Sequence, residues 1–119
     1  IMIRKFYEAG NEDNGGATQL KGQASEEQIE AWKAKYKQGI YGIEIDGSIL
    51  YFQNPTRVHV NHSMSLMSVK SPLSLYEFLA KDTVIGGDED KLKEDDAFFG
   101  ITEYLKAKMD GKKGQLVNL

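Results

Sequence analysis

The stretch Ile40 to Gln53, IYGIEIDGSILYFQ, limits what this chain can fold into more than any other part of it. Two runs of β-branched and aromatic residues flank Asp46-Gly47, a pair suited to the positive φ angles of a two-residue type I′ turn. Such a turn pairs Ile45 with Ser48, Ile43 with Leu50 and Tyr41 with Phe52. Side chains alternate along a strand, so Tyr41, Ile43, Ile45, Leu50 and Phe52 share one face. The other face carries Gly42, Glu44, Ile49 and Tyr51, with Tyr51 across from Gly42, where an aromatic ring covers bare backbone. A lone hairpin is marginal in water, so the apolar face needs a lid. The flanking segments supply the helices for it.

Ser25-Glu26-Glu27-Gln28 reads as a capping box, with two acids at the positive end of the helix dipole. Ile29, Trp32 and Tyr36 follow as one stripe, Gly39 can close the helix, and Trp32 is expected to contact the hairpin. After the hairpin, Asn54-Pro55 ends the strand and Thr56 can cap a second helix. Val58, His62, Leu66 and Val69 form its stripe, with Met64 or Met67 alongside, although RVHV alone also fits a strand extension. Ser71-Pro72 starts a third helix, with Leu73, Leu75, Tyr76, Leu79 and Val84 on its apolar face and Phe78 on the flank. Gly86-Gly87 is expected to end it. A last helix carries Phe98, Ile101, Leu105 and Met109 in register, widened by Phe99 and Tyr104, capped by Asp95 or Asp96 and stopped by Gly111.

The ends read differently. Met2, Ile3, Phe6 and Tyr7 fit a short strand at one edge of the hairpin, and residues 9–24 are rich in Gly, Asn and charge, as in a flexible segment. The expectation is an α+β domain over residues 25–111: a helix, a β-hairpin, then about three helices over it. A flexible arm, 1–24, precedes it and a tail, 112–119, follows.

Composition narrows the function. A net charge of −3 argues against a general nucleic-acid binder, which needs a basic stripe to displace counterions from phosphate. The chain has no Cys, hence no disulfide framework, thiolate zinc site or cysteine nucleophile. No apolar run approaches the roughly 18 residues of a membrane span, and the first residues are too short in apolar character for a signal peptide. A cytoplasmic location, with no membrane partner, is the expectation.

The motifs that carry chemistry are incomplete. His59 and His62, three residues apart, lack the third ligand and the spacing of a metal site. The acidic run from Asp88 to Asp96 fails as a calcium loop, because Leu92 and Phe99 fall where oxygen ligands are required. The Gly-Gly pairs lack the residues of a phosphate or dinucleotide loop, and no serine sits in a nucleophile elbow. The expectation is a protein that is not an enzyme and takes no cofactor. Met64, Leu66 and Met67 instead offer an adaptable apolar surface for a partner helix or peptide.

The segment EEQIEAWKAKYKQGIYGIEIDGSILYFQNPTR resembles the N-terminal part of small phage and prophage proteins. In these an EEQIEAWK helix precedes a hairpin ending in an aromatic and xPxR, and a GGDE acidic link follows, here IGGDEDKLKEDDAFFG. The likeness spans residues 25–108 and its motifs are structural. It implies a tail assembly chaperone that shields apolar segments of tape-measure or tail-tube proteins before polymerisation. On that reading Met64, Leu66, Met67, Leu75 and Phe78 are the contact residues, with Trp32 and Phe52 structural. The competing readings are a minor virion subunit that self-assembles, or a protein-binding module of a bacterial mobile element.

Overall fold

The computed structural model describes residues 19–67, 71–111 and 114–119 of the 119-residue chain. The elements run α1 (Glu26–Lys35), β1 (Ile40–Ile45), β2 (Ser48–Gln53), α2 (Arg57–Leu66), α3 (Pro72–Thr83), β3 (Val84–Gly87), a short 3₁₀ helix (Glu89–Lys93) and α4 (Asp95–Asp110). The fold is α+β, with a three-stranded antiparallel sheet in the order β1-β2-β3. The expected edge strand at residues 1–8 lies outside the described residues.

The hairpin has the register its turn dictates. Asp46 and Gly47 take φ values of 51° and 75°, and Ile45 pairs with Ser48, Ile43 with Leu50 and Tyr41 with Phe52. Ile43, Leu50 and Phe52 are buried together with Ala80 of α3 and Phe98, Ile101 and Leu105 of α4, and Tyr41, Ile45, Tyr76, Val84 and Leu92 pack around them. Each such aliphatic or aromatic side chain removed from water contributes about 1.5–3 kcal/mol before entropy is counted. The lid is therefore α3 and α4.

The third strand replaces an expected helix end. In the sequence Val84 and Gly86-Gly87 read as the face and the stop of the third helix; instead the helix closes at Thr83, whose hydroxyl donates to the Leu79 carbonyl at 2.7 Å. The chain then runs back along β2, with an irregularity between Tyr51 and Phe52. The glycines serve proximity. Gly87 has φ +98°, and a Cβ on it would fall 2.4 Å from the Ile49 carbonyl oxygen.

Helix α1 lies on the other face of the sheet. Ser25 caps it by accepting from the Gln28 amide, yet no residue of α1 is fully buried. Trp32 does contact the sheet, its ring tilted 44° against that of Tyr51 with centroids 5.1 Å apart, on the face opposite the main core. The last residues of the segment read as a flexible arm are tied down here. The Lys21 amide donates to the Gly47 carbonyl, the Ile49 amide to the Lys21 carbonyl, and the Ala24 amide to the Tyr51 hydroxyl.

Three further sequence expectations change. Phe99 and Tyr104 do not widen the buried face of α4: they are 54% and 53% exposed, because the sheet covers only one side of that helix. Leu73 is likewise mostly out of the core, at 43% exposure. Neither Asp95 nor Asp96 caps α4; Glu94 holds that position without a side-chain bond, and both aspartates lie in the first turn, where the helix dipole favours them.

Candidate protein-binding surface

The surface in question is formed by α2 and α3, and its character follows from how α2 is turned. Thr56 caps α2 by accepting from the His59 amide, and the His59 ring accepts in return from the Thr56 amide at 3.0 Å. That reciprocal box gives His59 a structural task, and an imidazole at this position had no marker in the sequence, where Glu or Gln is the usual partner. Ser63 is fully buried, its hydroxyl satisfied by the His59 carbonyl at 2.9 Å. A small residue at the seam lets α2 lie close to α3.

This orientation turns the expected stripe of α2 outward. Val58 and Leu66 are 74% and 50% exposed, and His62 lies on the same outer side one turn from each. The side turned inward carries His59, Val60, Ser63 and Met67. Val69 lies outside the described residues. Both stripes hold two or three apolar groups, so periodicity could not choose between them. Histidine at the centre of the outer stripe was the one available signal.

The five residues assigned to partner contact separate into two groups. Leu66 stands one turn beyond His62 and Phe78 one turn before Asp82, and His62 Nδ1 lies 3.8 Å from Asp82 Oδ2 across the α2–α3 seam. Leu75, half-buried like Phe78, is the next turn along α3. Val58, absent from the expected set, extends this flank. Met64, 45% exposed, and half-buried Met67 lie elsewhere: two residues of helix put Met64 about 160° around α2 from Leu66.

Other features lie apart from this surface. A cavity of about 370 Å³ opens between the start of α2 and the end of α4, lined by Pro55, Arg57, Val60, Lys108 and Met109 among others. Its one hydroxyl, that of Thr56, is engaged in the helix cap. Among the described residues, no three His, Asp or Glu groups converge as a metal site, and no helix is long and apolar enough to cross a membrane. Burial raises the Tyr41 phenol well above its ordinary value. Burial also raises that of Tyr51, with the Ala24 amide opposing and the Glu44 charge adding.

Comparison of the chain with protein-family models, with curated proteins and with solved structures gives no match. The fold and this surface define an α+β domain that keeps apolar helical side chains in water.

Proposed function

We propose that the protein is a non-enzymatic binding module of phage or prophage origin. Its role is that of a tail assembly chaperone, holding apolar segments of tape-measure or tail-tube proteins before they polymerise. The observation that carries this reading is the outward apolar stripe of α2, Val58 and Leu66, beside half-buried Leu75 and Phe78 of α3. An amphipathic helix of a partner, laid along the α2–α3 flank, would take these side chains out of water and exploit them as anchors at helical spacing. The resemblance of residues 25–108 to phage tail-region proteins supports the choice of partner.

The test is co-expression of the full chain with a tape-measure or tail-tube segment encoded beside it, followed by gel filtration with light scattering. A soluble complex of defined stoichiometry is expected. A segment that stays insoluble, or elutes apart from the chain, would leave the chaperone reading without its substrate.

A further inference from the structure

Among the described residues, no strand pairs with the outer edge of β1. The sheet order makes β1 an edge strand, and within the hairpin its hydrogen-bonded partners are those of Tyr41, Ile43 and Ile45. The amide and carbonyl groups of Ile40, Gly42 and Glu44 therefore point away from β2, and among the described residues they have no backbone partner. Exposed edges are normally blunted by a proline, a lysine, a bulge or a covering segment. The sequence IYGIEI has neither proline nor lysine, and its ladder to β2 is regular over all six residues.

We propose that β1 pairs antiparallel with β1 of a second copy, about a two-fold axis at Gly42, joining two sheets into one. The chemistry of the edge selects this occupant and this register. Centring on Gly42 is the arrangement that matches every outward residue: Gly42 meets its own equivalent, and Ile40 meets Glu44 in both directions. Each pair exchanges both of its hydrogen bonds. Glu44 never opposes Glu44, whereas centring on residue 44 would set like charges directly across from each other, which is destabilising. Tyr41 meets Ile43 on the core face, so the apolar surface continues across the junction.

Helix α4 adds a second strip to the same edge. A Cβ on Gly100 would lie 2.8 Å from Ile45 Cδ1, and Lys108 Nζ stands 4.6 Å above the Tyr41 ring. Tyr104 lies one turn from each along α4, and it is 53% exposed. A two-fold axis normal to the sheet keeps both copies of α4 on one side and brings the two Tyr104 rings toward the axis. The association is independent of the α2–α3 surface.

The absence of cysteine makes the register testable on the full chain. Sedimentation equilibrium of the wild type should show a dimer, and Ile40→Glu, which places two carboxylates opposite each other, should raise its dissociation constant at least tenfold. Glu44→Lys added to Ile40→Glu should restore it. Under mild oxidation Gly42→Cys should form a covalent dimer, because the paired Cα atoms stand about 5.5 Å apart, within disulfide range. Glu44→Cys should not, since its equivalents are separated along the strands. Glu44 is exposed, so that variant folds normally even if Ile40→Glu does not. A monomeric wild type would overturn the proposal, as would Glu44→Cys cross-linking as readily as Gly42→Cys.

Discussion

The edge of the Trp32 indole occupies the space a side chain at residue 86 would need: a Cβ on Gly86 would stand 2.7 Å from Cη2 and 2.8 Å from Cζ2. With Tyr51 packed against the same ring at 5.1 Å, Trp32 closes the outer face of the sheet over bare backbone. Gly86→Ala should therefore destabilise the fold by about 1–3 kcal/mol, the usual cost of overpacking. In a Trp32→Leu background most of that cost should vanish. Urea unfolding of the four members of this cycle measures the coupling.

Ser48 and Asp88 form the other junction that the fold cannot spare. The buried Ser48 hydroxyl donates to Asp88 Oδ2 at 2.8 Å, and the Asp88 amide donates to the Ile49 carbonyl, so the hairpin turn is fastened to the end of β3. Lys21 is 3.9 Å from the same carboxylate but mostly in solvent. Ser48→Ala removes the donor while the carboxylate stays buried, and should cost about 1.5–3 kcal/mol. Asp88→Asn, which keeps an acceptor, should cost less. Chemical denaturation of both variants checks the order.

Stability should fall on the alkaline side. The folded-state pKa values of Tyr41 and Tyr51 are raised by burial, and that of Lys91 is raised by hydrogen bonds to Asp46 and Glu94. A group whose pKa is higher when folded contributes fully below its unfolded value and loses that contribution as pH rises toward the folded one. The window therefore opens at about pH 10, where unfolded Tyr and Lys lose their protons. Thermal melts across that range should show a falling Tm. Phenolate absorbance should rise in two stages, Tyr41 and Tyr51 ionising only as the chain unfolds.

The hairpin was legible because its register is fixed locally: Asp46-Gly47 sets the turn, and a strand's period of two does the rest. The caps at Ser25, Thr56 and Ser71 were legible for the same reason. What failed depended on distant partners. Gly86-Gly87 reads locally as a helix stop, and only the approach of Trp32 and of the Ile49 carbonyl shows why glycine stands there. The direction in which Val58 and Leu66 face was not legible, because the helical period identifies a stripe without saying which way it faces. That choice is made by packing between α2 and α3, and it sets Leu66 of the expected contact residues on the outer side with Val58, apart from Met64.

Core and surface should separate cleanly under truncation. Ile101 of α4 is fully buried in the core it shares with the sheet and α3, and Ile101→Ala should cost about 2–5 kcal/mol. Leu66, half exposed, should change stability by no more than about 0.5 kcal/mol when cut to Ala. Parallel urea titrations decide whether α2 presents this side to water.

The central claim is that the outer stripe of α2 binds the apolar partner. Its most direct measurement is the affinity of Val58→Asp, Leu66→Asp and Met64→Asp variants for a tape-measure or tail-tube segment that the wild type holds in solution. Binding should fall at least tenfold for Val58→Asp and Leu66→Asp, with folding intact by circular dichroism, and much less for Met64→Asp on the other side of the helix. Undiminished binding by the first two variants, or a loss confined to Met64→Asp, would contradict the account.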